Sequence, residues 1–184
     1  MHKVFISGSM RIKNINQDVL ARIDNIINSG FHVLVGDADG VDTSIQTYLL
    51  EKHANSVLVY CAGDQPRNNI GKWKTNNIAT NHSKGTRAFF TAKDLKMAED
   101  CDYGLMIWDT KSTGTLSNAI ELLKRGKKSL VFINKEKKFL KVKTVNDLET
   151  LISYMSETAL TKADKKISLM SSIESFKNEQ SSLF

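Results

Sequence analysis

In 184 residues the sequence has no apolar run near the roughly 18 that a membrane span requires. Its start, MHKVFISGSM, reads as a strand and lacks the charged opening of a signal peptide. A soluble cytoplasmic protein with no membrane partner is therefore expected. Cysteine is scarce: Cys61 and Cys101 stand far apart with no Cys-x-x-Cys pattern, which excludes a disulfide framework and a structural zinc site and leaves two buried thiols. The four histidines, His2, His32, His53 and His82, have no ligand spacing, and no metal is expected. Proline occurs once, as Pro66, inside a polar stretch, and no internal repeat is visible.

What is present fits one folded domain with a full core. The apolar and charged fractions, 41% and 25%, are ordinary and favour neither enzyme nor binding module. A net charge of +6 is unevenly spread. Residues 1–126 carry 15 basic and 13 acidic side chains, and residues 127–184 carry 11 and 7. Lys135, Lys137, Lys138, Lys141 and Lys143 crowd together, which reads as a solvated hairpin or loop in preference to a nucleic-acid patch, because no aromatics are interleaved.

Short apolar runs at 4–7 (VFIS), 32–35 (HVLV), 56–61 (SVLVYC), 103–108 (YGLMIW) and 129–133 (SLVFI) predict buried strands. Helical spacing lies between them: Leu20, Ile23 and Ile27 before Gly30; Val41, Ile45 and Leu49; Leu95 and Ala98 within Thr91–Cys101; Leu116, Ile120 and Leu123 before Gly126. A further helix is expected over roughly Val145–Met155. This alternation predicts an α/β, Rossmann-like, mostly parallel five-stranded sheet, of order 3-2-1-4-5, with helices on both faces. The polar stretch 62–90 reads as an extended loop or small lid. Residues 1–156 would form the domain, and 157–184 either an amphipathic helix or a mobile tail.

Three glycine-bearing turns follow strands and so fall at the carboxyl edge of such a sheet, where open α/β folds bind ligands. The first, Gly8-Ser9-Met10-Arg11, offers close backbone approach, a hydroxyl and a guanidinium fork suited to phosphate. The second, Gly36-Asp37-Ala38-Asp39-Gly40 with Asp42, opens a helix whose N-terminus favours an anion; its carboxylates must then cap the helix or hold sugar hydroxyls or a cation. The third runs from Asp109 through Lys111, Ser112 and Gly114 to Thr115, again into a helix. Asp109 reads equally as a loop cap or as a group facing a ribose. Trp73, Arg87, Phe89 and Trp108 are candidates for lining a base pocket, or else core. A nucleotide or other phosphate-containing ligand is expected, and no cofactor beyond it is required.

These motifs resemble the LOG and DprA-like Rossmannoid superfamily, SLOG, which includes cytokinin-activating LOG proteins and relatives of nucleoside deoxyribosyltransferases. Gly8-Ser9-Met10-Arg11 resembles its G-S-x-R element, GDADGVD its G-x-A-x-G-x-D element, and Gly114-Thr115 the start of its G-T-x-x-E element. The resemblance covers residues 3–153. It implies nucleotide binding, with hydrolysis or transfer at the N-glycosidic bond, and a homodimer or higher homo-oligomer able to share sites. One departure stands out: the family glutamate falls at Asn118, an amide that cannot act as nucleophile or base, and the acid comes later, at Glu121. Asp109 and Glu121 are then the candidate catalytic carboxylates. The alternatives are a sensor or carrier that leaves its nucleotide unchanged and, drawing on the basic final third, DprA-like single-stranded DNA binding.

Overall fold

A computed structural model describes residues 1–181. Among the described residues seven strands form one sheet: β1 (Lys3–Gly8), β2 (His32–Val35), β3 (Val57–Ala62), β4 (Thr75–Ile78), β5 (Tyr103–Trp108), β6 (Lys128–Ile133) and β7 (Lys138–Val142). Their order is β4-β3-β2-β1-β5-β6-β7. All neighbours are parallel except β6 and β7, which form an antiparallel pair. The five expected strands occur in the expected order, and the fold is Rossmann-like α/β. The count of five is corrected to seven. Both additions are polar edge strands, TNNI and KFLKV, without the apolar runs that mark a strand buried on both faces.

Period-two alternation divides the core. On one face Val4, Ile6, Val33, Val35, Val59 and Ile107 pack beneath α1 (Gln17–Asn28) and α2 (Val41–Glu51). On the other, Phe5, Leu34, Met106, Trp108, Val131 and Ile133 pack beneath α3 (Arg87–Asp100), α4 (Thr113–Lys124) and α5 (Val145–Ile152). The terminal segment continues this second layer as α6 (Glu157–Ile167) and α7 (Leu169–Ser181). Ala159, Ala163, Leu169 and Ile173 are part of its core; residues 182–184 lie outside the described residues. Among the described residues no helix is long and apolar enough to cross a membrane.

Two local expectations are corrected. The stretch 62–90 is not a continuous loop, since it contains β4 and the first turn of α3, which is capped by Thr86. That helix buries Phe89, Lys93, Met97 and Ala98, while Leu95 is 43% exposed on the opposite side. The lysine-rich stretch, read as a hairpin or loop, is the β6–β7 hairpin. Its Lys138 lies over the Tyr154 ring, 4.5 Å from the centroid.

Chain direction reverses its progress across the sheet at β1, with β2 on one side and β5 on the other. The crevice above the carboxyl ends of β1 and β5 is therefore the topological switch point.

Candidate functional site

A cleft of about 740 Å³ lies above that switch point. It is lined by Gly8, Met10 and Arg11 after β1, by Ala38 and Asp42 after β2, and by Asp109, Lys111, Ser112, Gly114, Thr115 and Asn118 after β5. The three turns singled out in the sequence thus meet at one place. Two further walls complete it: Arg87, the one residue there that the sequence suggested, with Phe90, Thr91, Lys93 and Asp94 of α3 and Arg67, and, unexpected, Ser156, Thr158, Ala159, Lys162 and Lys166 at α6.

The first and third turns are stitched together. Ser9 is fully buried; its amide donates to the Ile107 carbonyl at 2.9 Å, and its Oγ accepts from the Asp109 amide at 3.1 Å. The same hydroxyl lies 3.5 Å from Thr115 Oγ1. Ser9 is therefore a tie within the fold, not a lining group. Gly8 packs against the Ile107 carbonyl and the Val41 side chain, where any Cβ would collide. Gly40, at φ +81°, packs against the backbone of Met10 and joins the first turn to the second. That close approach demands glycine for reasons of packing, without reference to a ligand.

In the third turn Asp109 Oδ1 accepts from the amides of Lys111 at 2.9 Å and Ser112 at 2.7 Å, so one carboxylate oxygen shapes the turn while the residue lines the cleft. Ser112 caps α4 by accepting from the Thr115 amide. The first-turn amides of Thr113 and Gly114 have no partners within the helix, and both residues line the cleft. Gly114 presents open space where a side chain would stand. Asn118 is buried and donates through Nδ2 to Ser7 Oγ at 3.3 Å.

The floor beneath the second turn is ionic. Asp37, 2% exposed, accepts from the Arg67 guanidinium at 2.7 and 3.2 Å and from the Arg67 amide at 2.9 Å. Burial opposes its charge, but the Arg67 hydrogen bonds outweigh this and hold the carboxyl below its usual range. Lys93 is 4% exposed, 2.7 Å from Asp94 and 3.9 Å from Asp37. Burial works against its ammonium, and Asp94, Asp42 and Asp37 together keep it raised. Asp42 has weaker support: Oδ2 accepts from the Ala38 amide at 3.2 Å, and Oδ1 is buried with no hydrogen-bond partner. Burial, only partly offset by Lys93, pushes its carboxyl up to about 6. Asp39 accepts from Asn68 and does not line the cleft, nor do Gly36, Asp37 or Gly40.

Four more of the expected side chains end elsewhere. Trp108 is fully buried in the core, its Nε1 donating to the Ser112 carbonyl at 3.0 Å; it braces the third turn from below. Glu121 is outside the cleft and pairs with Arg125 at 2.8 Å. Trp73 donates to the Ala54 carbonyl, and Phe89 packs beneath Gly63. Arg87 does line the cleft, and the aromatic ring that joins it is Phe90, with the Arg67 guanidinium 4.3 Å from its centroid. Period two from Met106 would have placed Trp108 on the core face. No comparable signal marks Arg67 or Lys93, whose shared partner Asp37 is distant in sequence from both.

Among the described residues no group of three His, Cys, Asp or Glu side chains is arranged to hold a metal ion. Comparison with known proteins finds no family model that matches the chain, and no curated protein matches it.

Proposed function

We propose that this chain binds a nucleotide or nucleotide derivative at the carboxyl edge of its sheet. The observation that carries this reading is the single cleft in which the turns after β1, β2 and β5 meet beside the open N-terminus of α4. Its volume, about 740 Å³, suits a small-molecule ligand of nucleotide size. Phosphate would lie at the amides of Thr113 and Gly114, within reach of Arg11 and Lys111, where helix-terminal donors and fixed positive charge combine. Phe90 would offer a face to the base, and Asp109, through the oxygen not engaged in its turn, would face the sugar. The resemblance of the three turn motifs to the SLOG superfamily supports the same reading, including a homodimer as the assembly.

Thermal unfolding in the presence of a panel of nucleoside mono-, di- and triphosphates and dinucleotides tests it. A ligand present at 100 times its Kd stabilises the fold by about 2.7 kcal/mol. Should no member of the panel move the transition, the proposal fails.

A second reading adds chemistry at the N-glycosidic bond, and Asp42 favours it. A buried carboxyl that titrates near 6 and lines a ligand cleft is suited to exchange a proton near neutral pH. With Asn118 in the position of the family glutamate, Glu121 turned away and Asp94 paired with Lys93, Asp42 and Asp109 are the carboxylates left to act. Incubation with the same panel, followed by chromatography for free base, separates the readings. Release that depends on Asp42 supports an enzyme; binding without release leaves a sensor or carrier.

A further inference from the structure

The cationic side chains of the cleft fall into two sets. Arg67 and Lys93 lie on the floor and are committed to Asp37 and Asp94. Arg11, Arg87, Lys111, Lys162 and Lys166 line the walls, and none of the five makes an ion pair with another described residue. The carboxylates that share the cleft do not neutralise them. Asp94 is held by Lys93, Asp109 has one oxygen in its own turn, and Asp42 is buried against the Ala38 amide.

The five come from four separate elements: the turn after β1, the start of α3, the turn after β5, and α6. Lys162 and Lys166 are one helical turn apart on the same face of α6, with Cβ atoms about 6 Å from each other. A single phosphate carries roughly 1.5 to 2 negative charges, and two or three of these cations would satisfy it. Five that surround a cleft from several sides exceed what a monophosphate can use; all are solvent-exposed and screened by water and salt, and a guest of higher charge engages more of them at once.

Resting on the nucleotide reading above, we propose that the ligand carries a chain of two or more phosphates, as in a nucleoside di- or triphosphate or a dinucleotide. One phosphate lies at the N-terminus of α4, and the chain runs toward Lys162 and Lys166. A small molecule is favoured over a nucleic-acid strand because the unpaired cations line a concave cleft. The hairpin lysines, Lys135, Lys137 and Lys138, are not part of its lining.

Equilibrium binding of AMP, ADP and ATP, and of the guanosine series, at low salt and without divalent cations, tests the proposal. Inorganic tripolyphosphate and a short single-stranded DNA serve as competitors. Affinity should rise about tenfold from mono- to triphosphate, equivalent to one charge-assisted contact of roughly 1.4 kcal/mol, and the rise should shrink with added salt. The double variant Lys162→Ala, Lys166→Ala should reduce that ratio to near unity. Lys165→Ala, an exposed change on the same helix outside the cleft, should leave it intact. Equal affinity for mono- and triphosphates overturns the inference while the nucleotide reading stands. Tripolyphosphate binding with no nucleotide binding leaves the polyanion site and removes the nucleotide. Binding of none of these overturns both, and tighter binding of DNA than of any nucleotide replaces the inference with a nucleic-acid site.

Discussion

Ser9 Oγ accepts a hydrogen bond from the amide of Asp109, 100 residues further along the chain, at 3.1 Å. This contact fixes the ends of β1 and β5 to one another at the switch point. It also gives Ser9 a role that competes with direct ligand contact, because its hydroxyl is buried and already engaged. Ser9→Ala should therefore lower stability by about 1–2 kcal/mol, the cost of leaving a buried amide without its acceptor. Urea unfolding measures it. Unchanged stability combined with lost nucleotide binding would make Ser9 a ligand-contacting group instead.

Asp42 gives the fold a pH dependence of definite sign. Its folded-state value, about 6, lies above the ordinary 3.8, so its contribution is full below about pH 4 and is lost as pH rises through 6. Asp37 works in reverse: its value is lowered, and its stabilisation is lost only as pH falls below the ordinary carboxylate range. Asp42→Asn should gain stability relative to the parent between pH 4 and 7, by an amount on the order of 3 kcal/mol. Denaturant titrations at a series of pH values would show the two stabilities diverging. Parallel curves would mean that Asp42 titrates normally.

Gly114 and Gly40 should respond oppositely to alanine. At Gly114 a Cβ meets nothing closer than Ser112 Oγ at 4.0 Å, and the site is helical, so Gly114→Ala should hold or raise stability by about 0.5 kcal/mol. That Cβ would project toward the cleft and weaken nucleotide binding about tenfold, or roughly 1.4 kcal/mol. Gly40→Ala places a side chain at φ +81° against the Met10 backbone and should cost about 2 kcal/mol or more. Paired melting and binding measurements on both variants check the assignment. A Gly114→Ala protein that binds as the parent does would remove α4 from the site.

Glu121→Ala should be close to silent. Its partner Arg125 lies one turn along the same helix, and partly exposed pairs of this kind contribute about 0.3–0.5 kcal/mol. Binding and any base release should match the parent. A loss of either would return Glu121 to the site.

The central strands were legible because a strand covered on both faces must be apolar where it is buried, as VFI in β1 and LMIW in β5 are. Edge strands carry no such requirement, and β4 and β7 escaped notice for that reason. Convergence of the turns followed from topology alone, since every parallel strand ends at the same edge. Helical spacing also put Glu121 near Asn118, but the cleft is at the N-terminus of α4, and eight residues of helix from Thr113 carry Glu121 about 12 Å away along the axis. The ion pairs of Arg67 and Lys93 with Asp37 depend on how segments pack, which leaves no period in the sequence. Lys162 and Lys166 were hidden in a segment whose composition read equally well as a tail.

Helix α6 turns Lys162 and Lys166 toward the cleft and sets Ala159 and Ala163 into the core layer beneath. A guest spanning from α4 to those lysines would act as a rivet, fastening the carboxyl-terminal pair of helices to the body of the sheet. Occupancy would then be felt well beyond the mouth, as slower amide exchange through α6 and into α7, whose Leu169 and Ile173 share that layer.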